Sequence, residues 1–379
     1  METLLRLRAL LSVLAVTLVL AGGAVTTAAT AAGPAPSPGE AGLTGAAALA
    51  GRGTVTAVGA PALPRGLTAS SWLVADLDTG EVLAAHDAHG RFAPASTLKT
   101  LTALTLVPRL APARLVRPAP QDLAVDGSKV GLVDTVAYPV RELFTAMMVA
   151  SGNDAANTLA TAAGGVPLTV GLMNAEAARL NASDTHAVNP TGLDAPGQLS
   201  SAYDLALIGR AGMAMPDFRR YVATKRSTVA APKGKRFEIS THDRLIRNYP
   251  GAIGIKNGYT VKARASFVGA ATRGGHTLLV TLMHAEPRVW AEGAALLDWG
   301  FAARAAGVAP VATLVGPGQQ APAGQSTGSA VGAPQVAAGT ARVDTPRRSA
   351  PLPYAGFGAA AATLALLGLR RRRRRFPRR

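Results

Sequence analysis

Pro94-Ala95-Ser96-Thr97-Leu98-Lys99, running into the apolar stretch Thr100 to Val107, decides how this chain is read. Serine and lysine at i and i+3 share one helix face, with Cβ atoms roughly 5–6 Å apart. Ser96 is expected in the first helical turn, where backbone N–H groups are unpaired and the dipole favours negative charge. An incipient alkoxide is helped there, and an amine desolvated beside it can lose its proton and act as a base. Alone, S-x-x-K is common, and equally at home on a capped surface helix.

Two further motifs follow in order. Ser151-Gly152-Asn153-Asp154-Ala155-Ala156-Asn157 comes after the apolar helix that ends Met147-Met148-Val149-Ala150. A hydroxyl and an amide on a tight Gly turn can enter a cleft from a second side; the plainer alternative is a helix cap by Ser151 or Asn153. Gly254-Ile255-Lys256-Asn257-Gly258-Tyr259-Thr260 precedes a pair of strand-like runs. A strand-edge lysine beside glycine lets a peptide backbone lie close and a carboxylate be neutralised, against the alternative of an exposed edge lysine with a turn glycine.

Composition narrows the class. Hydrophobic residues make up 48 % of 379 and aromatics only 4 %, so the core is aliphatic. The formal charge is +17, but between Gly66 and Pro310 there are 24 Lys and Arg against 19 Asp and Glu, and eight arginines follow Leu369. The basicity is largely a terminal tag, no nucleic-acid motif accompanies it, and no nucleic-acid partner is expected. The absence of cysteine excludes disulfides, thiolate metal sites and a cysteine nucleophile. The six histidines lack metal-ligand spacing, and no phosphate loop or dinucleotide fingerprint is present. No cofactor or metal is expected.

Residues 1–31 read as a signal peptide: Arg6 and Arg8, the apolar run Ala9 to Ala21, and a small-x-small site at Ala29-Thr30-Ala31. Residues 32–66 read as a disordered linker, 67–310 as the folded domain, and 311–351 as a flexible Pro/Gly/Ala stalk. Residues 352–369 read as a transmembrane helix and 370–379 as a basic cytoplasmic tail. The folded part is then exported and anchored to the cell membrane by its C-terminal helix. Leu352-Pro353-Tyr354-Ala355-Gly356 resembles a sortase sorting signal with Ala355 for Thr, so wall attachment is a second reading.

Within the domain, Trp72 to Asp76 and Val82 to Ala85 flank Asp78-Thr79-Gly80 as a β-hairpin. Helices are predicted over Ser96 to Val107, Val140 to Val149, Asp154 to Ala163, Thr169 to Leu180 and Ala202 to Ala214, strands around Ser266 to Ala271 and Thr277 to Met283, and a last helix over Val289 to Trp299. Strands at both ends with helices between imply an α+β domain whose sheet joins N- and C-terminal strands.

S-x-x-K, S-x-N and K-x-G in this order resemble the signature set of penicillin-interacting serine enzymes. From about Ser71 to Phe301 the chain resembles the serine D-alanyl-D-alanine carboxypeptidases, the low-molecular-mass penicillin-binding proteins. The resemblance includes Ala75 to Leu83, Pro94 to Leu104, Asn189-Pro190-Thr191-Gly192-Leu193-Asp194, Ser201 to Ala206, Asn248-Tyr249-Pro250-Gly251 and Leu297 to Phe301. It implies a β-lactamase/penicillin-binding transpeptidase-like domain, an antiparallel sheet packed with a helical cluster. It implies that Ser96 attacks the carbonyl between two D-alanines of a peptidoglycan stem peptide, that Lys99 takes its proton and that Ser151 relays a proton to the leaving amine with help from Lys256. Asn153 would bind the peptide, Lys256 and Asn257 the terminal carboxylate, and the N–H groups of Ser96 and Tyr259, beside Gly258, the oxyanion. A lysine–carboxylate attraction is on the order of 4 kcal/mol at 4 Å and moderate dielectric. β-Lactams are the implied inhibitors.

The chain departs from that pattern in places. Asn257 replaces the usual Thr of Lys-Thr-Gly, though an amide can still donate to a carboxylate. Ala263-Arg264 replaces the usual Ala-Gly pair, and Arg288 stands about where relatives place an arginine. Rival readings are a D,D-endopeptidase or a β-lactamase-like hydrolase on the same residues, and a non-catalytic wall-binding module. Against the β-lactamase stands the lack of any Glu between Glu176 and Glu238. Gly324-Gln325-Ser326-Thr327-Gly328 matches G-x-S-x-G but lies in low-complexity sequence, with no strand–turn–helix context.

Overall fold

The computed structural model describes residues 46–316. The helices in chain order are α1 (Ala46–Leu49), α2 (Lys99–Leu106), α3 (Pro120–Leu123), α4 (Val140–Val149), α5 (Asn153–Ala162), α6 (Val166–Arg179), α7 (Ala202–Met213), α8 (Pro216–Val222), α9 (Arg244–Asn248) and α10 (Val289–Ala305). The strands are β1 (Thr54–Thr56), β2 (Ser71–Asp76), β3 (Glu81–His86), β4 (Leu115–Val116), β5 (Tyr138–Pro139), β6 (Arg226–Ala230), β7 (Arg236–Ser240), β8 (Ala252–Thr260), β9 (Arg264–Arg273), β10 (His276–Ala285) and β11 (Ala312–Thr313).

An antiparallel sheet in the order β1-β3-β2-β10-β9-β8 forms the centre, with β11 also on β3. The register Leu73↔Thr281 and Asp76↔Leu278 joins the N-terminal hairpin to the C-terminal strands, as the strand distribution predicts. All six residues of β2 are buried. The apolar run Trp72 to Ala75 within it reflects a sheet covered on both faces, which removes the polar half of the usual alternation. Leu73, Ala75, Val268, Ala270 and Leu279 face the helical cluster of α2, α4, α5 and α7. Their neighbours Trp72, Val74, Phe267, Ala271, Leu278 and Val280 face α10 through Leu296 and Leu297. The α+β class holds, with α10 as an additional layer behind the sheet.

The folded part extends beyond 67–310 at both ends. Within the expected linker 32–66, α1 buries Leu49, β1 pairs with β3 at Val55↔Ala85, and Pro61 O accepts from Trp299 Nε1 at 2.9 Å. Within the expected stalk 311–351, β11 pairs at Ala312↔Val82, and Leu314 is buried. Both pieces cover the open edge of β3, whose unpaired backbone groups require partners. Burying one leucine contributes about 1.5–3 kcal/mol toward ordering such a short segment, with the strand pairing supplying the rest.

Among the described residues no helix is long and apolar enough to cross a membrane. The expected signal peptide, the 352–369 span, the arginine tail and the Gly324–Gly328 motif lie outside the described residues.

Candidate active site

Ser96 sits in the 3-10 turn Ala95–Leu98 that leads into α2, so the first turn of the expected helix is 3-10 rather than α. The preceding Ala95 is buried at φ 48°, a conformation a non-glycine residue keeps only where its surroundings impose it. Pro94 O accepts from Thr97 Oγ1 at 2.5 Å and from Ser266 Oγ of β9 at 2.6 Å. A Cβ on Gly258 would stand 2.6 Å from Ser96 N, and one on Gly192 1.9 Å from the Ala95 carbonyl oxygen. Glycine at these two points lets β8 and the Asn189–Asp194 loop close directly on the Ser96 turn.

Lys99 opens α2 and is 0 % exposed. Its Nζ donates to Ser96 Oγ at 2.9 Å, to Asn153 Oδ1 at 2.6 Å and to the Thr191 carbonyl at 2.5 Å. The Asn153 amide is oriented by its Nδ2, which donates to Asp126 O at 2.6 Å. Two of the three amine partners are therefore pure acceptors. A neutral amine donates to both of them and turns its lone pair to the Ser96 hydroxyl proton. Burial holds the Lys99 pKa well below its ordinary value, the Lys256 charge lowers it further, and Asp154 opposes both.

The second motif does not cap its helix with a side chain: Gly152 is the N-cap of α5 and no side-chain cap bond forms. Ser151 is nearly buried, at φ 58°, in the link from α4 to α5. Asn153 N donates to Ser128 O at 2.8 Å, tying the motif to the Asp126–Leu132 loop. Asp154 is fixed against the same loop. Its Oδ1 accepts from Val130 N and Ala155 N, and its Oδ2 from Gly131 N and Leu132 N, at 2.9–3.1 Å.

The third motif lies on β8 itself, paired at Lys256↔Val268 and Gly258↔Ser266. Lys256 is 1 % exposed, which removes the exposed-edge reading. Its Nζ donates to Asn257 O at 2.8 Å, with Asn257 Oδ1 at 3.5 Å. Burial lowers its pKa to about 8, and the Asp243 charge raises it. Asn257, Gly258 and Tyr259 line a cavity of about 340 Å³ together with His242, Arg244 and Arg288. Thr260 Oγ1 donates to Asp194 Oδ1 at 2.9 Å, joining the end of β8 to the Asn189–Asp194 loop.

The D-alanyl-D-alanine carboxypeptidase family model matches residues 55–287, more than half of the chain. The chain belongs to this family. It is 43 % identical over 255 residues to the D-alanyl-D-alanine carboxypeptidase DacB2 of Mycobacterium tuberculosis, covering 65 % of this chain and 87 % of that one. With the D-alanyl-D-alanine carboxypeptidase DacF of Bacillus subtilis it shares 31 % over 212 residues, and it spans 54 % of that relative's length. The solved Streptomyces K15 DD-transpeptidase superposes with a TM-score of 0.60 at 28 % identity, covering 64 % of this chain and 100 % of that one. The fold is thus that of penicillin-binding D,D-peptidases.

Within this carboxypeptidase-family site, Ser96, Lys99 and Asn153 are joined by direct hydrogen bonds. Gly258 brings β8, and with it Lys256 and Asn257, against the Ser96 turn. Ser151 lies two residues from Asn153, and Tyr259 stands 59 % exposed at the cavity. Asn153, expected to bind peptide, also orients Lys99; one Nδ2 hydrogen remains for a substrate carbonyl. The sequence reading assigned no role to the Thr191 and Asp126 carbonyls, to the Asp154 carboxylate or to Asp243. Backbone carbonyls carry no side-chain signature. For Thr191 the signal was the adjacent Gly192, and for Asp154 its place inside the second motif.

Proposed function

We propose that this chain is a serine D-alanyl-D-alanine carboxypeptidase that removes the terminal D-alanine from peptidoglycan stem peptides through an acyl-enzyme on Ser96, and that β-lactams acylate the same serine. The observation that carries this reading is the Lys99 amine, buried and hydrogen-bonded to two obligate acceptors and the Ser96 hydroxyl. The neutral amine takes the Ser96 proton as Oγ attacks the scissile carbonyl. The tetrahedral oxyanion is received by the backbone N–H groups of Ser96 and Tyr259; loss of such a donor in other acyl-transfer enzymes costs about 2.7–4 kcal/mol. Ser151 passes a proton to the leaving D-alanine, and water then releases the acyl group. Lys256 and Asn257, with Arg288 on the cavity that Asn257 lines, hold the substrate's free carboxylate, which accounts for a preference for a chain end.

The reading includes placement outside the cytoplasmic membrane, with residues 1–31 as export signal and 352–379 as anchor and basic stop; the sequence patterns described above support it. The test is D-alanine release from a pentapeptide ending in D-Ala-D-Ala, with wild type and Ser96→Ala compared. Release by wild type and none by the variant supports the proposal, whereas no release by a folded wild type defeats it. Turnover of a chromogenic β-lactam faster than D-alanine release favours the β-lactamase-like alternative.

A further inference from the structure

The positive charge of the folded domain is gathered on one stretch. From the start of α8 to the end of α9 (Pro216–Asn248) there are nine Lys and Arg against three Asp and Glu, which leaves 15 against 16 in the rest of Gly66 to Pro310. All nine cations are exposed, whereas Asp243 is buried. Arg220 pairs with Asp217 at 2.5 Å, Arg226 with Glu238 at 3.8 Å and Arg236 with Glu142 at 2.6 Å. Lys225, Lys233, Lys235 and Arg244 make no ion pair among the described residues.

These cations stand on a fixed support. Strands β6 and β7 pair from Arg226↔Ser240 to Ala230↔Arg236. Val229 and Ile239 bury one face of this hairpin in the main core, so Arg226, Thr228, Arg236 and Glu238 are left on the solvent side. At the far end Ala230 N donates to Glu142 Oε1 of α4 at 2.6 Å. At the near end Thr241 N donates to Lys225 O at 2.9 Å.

Each end of the hairpin opens on a cavity. The near one is the cavity of about 340 Å³ in the candidate active site, lined by His242 and Arg244 just beyond Thr241. The far one, of about 480 Å³, is lined by Thr135, Val136, Lys233, Lys235 and Arg236. No Asp or Glu lines either of them. Arg236 is matched by Glu142, which leaves the far cavity two uncompensated lysines.

The separation of the two ends selects the kind of ligand. Strands of five residues span about 14–17 Å. That is roughly two Debye lengths at physiological salt. A small peptide seated at Ser96, with its one carboxylate in the near cavity, is screened from Lys233 and Lys235. Only a ligand that reaches the tip with a second anion gains from them. A peptidoglycan strand is such a ligand, because it carries many stem peptides and each ends in a carboxylate.

We propose that the β6–β7 hairpin, with the cavities at its two ends, is a docking surface for polymeric peptidoglycan: one stem peptide lies at Ser96 while the carboxylate of a neighbouring one is held by Lys233 and Lys235. The choice of partner rests on the carboxypeptidase reading.

The experiment uses the full chain and two substrates: uncross-linked peptidoglycan strands bearing pentapeptides, and an N-acetylated peptide ending in D-Ala-D-Ala whose only anion is its terminal carboxylate. Neutralising the hairpin with Lys225→Gln, Lys233→Gln and Lys235→Gln together should raise KM for strands about tenfold, the scale of three exposed charge contacts, with kcat unchanged. KM for the small peptide should move by less than about twofold. The same three positions changed to Arg should keep the wild-type KM, as should the distant pair Arg52→Gln and Arg65→Gln. In about 1 M salt, where the Debye length is about 3 Å, wild type and the neutralised variant should converge on strands. Equal KM values for strands at low salt, an equal loss on both substrates, or a loss that the Arg variant shares would overturn the proposal. So would a variant that keeps its KM for strands but no longer binds vesicles of anionic phospholipid, since the surface would then serve a membrane. Sedimentation of Ser96→Ala with strands, which needs no turnover, separates this inference from the functional reading. Strand binding weakened about tenfold by the hairpin substitutions, in a protein whose wild type releases no D-alanine, leaves the docking surface standing and defeats the carboxypeptidase reading. D-Alanine release together with strand binding that ignores those substitutions does the reverse.

Discussion

The amine of Lys99 lies 2.9 Å from Ser96 Oγ, and its two other hydrogen-bonding directions end on the carbonyl oxygens of Asn153 and Thr191. This arrangement ties the protonation state of one buried lysine to the reactivity of one serine, and several outcomes follow from it.

Lys99→Ala removes the proposed base. Acylation by a fluorescent penicillin should fall about a hundred- to ten-thousand-fold, with the far-UV spectrum unchanged. Lys99→Arg should do the same, because a guanidinium stays charged. In wild type the Lys99 pKa is held low by burial, so acylation should persist well below pH ~10 and decline only on acidification. Stopped-flow acylation rates across pH measure all three.

Asn153→Asp places a carboxylate where Lys99 now finds a neutral amide oxygen. An anion beside the amine favours its protonated form and raises its pKa. The acid limb of the acylation profile should therefore move to higher pH. An unmoved limb would show that the amide does not set the state of the amine.

Gly258→Ala puts a methyl group 2.6 Å from Ser96 N and 2.7 Å from Ser266 Oγ. Strand β8 would have to retreat from the Ser96 turn, destabilising the protein by about 1–3 kcal/mol and reducing acylation at least about a hundredfold, the scale seen when reacting groups are misplaced by ~1 Å. Gly171→Ala in α6 meets nothing within 4 Å and serves as the control. It should stabilise by roughly 0.5–1 kcal/mol and leave acylation unchanged. Thermal melts and labelling rates distinguish the two.

Asp204 of α7 is fully buried, and its Oδ1 has no hydrogen-bond partner. Burial raises its carboxyl to about 6, opposed by the bond from Thr185 Oγ1 at 2.7 Å. A carboxyl raised in the folded state gives stability that is present below its unfolded pKa and lost as pH rises through about 6. Asp204→Asn should therefore melt higher than wild type near pH ~8, by an amount on the order of 1–3 kcal/mol, and the advantage should vanish at about pH 4. Equal melting curves at both pH values would contradict this account.

The parts of the fold legible in the sequence were those whose own residues carry the signal. Trp72 to Ala75 and Phe267 to Ala271 are continuous runs without polar side chains because both faces of the sheet are covered. The helix Val140 to Val149 has a clear apolar face. The hairpin of β6 and β7 escaped notice because Val229 and Ile239 are its buried residues and, apart from half-buried Ala230 and Phe237, the remainder is polar. Strands β1 and β11 are three and two residues long in Ala- and Gly-rich sequence; the edge of β3 organises them, and that edge is visible only in three dimensions. In the candidate site, the meeting of Ser96 and Lys99 with Asn153 of the second motif was legible from motif order. The anchoring of Asp154 was not, because it depends on which backbone donors the carboxylate finds.

Intact-mass spectrometry of the full chain after exposure to benzylpenicillin, followed by peptide mapping, probes the core of this account most directly. A single adduct carried by the peptide containing Ser96, formed by wild type and absent from both Ser96→Ala and Lys99→Ala on the same timescale, is the predicted result. An adduct on another residue, or one that forms as fast without Lys99, would contradict it.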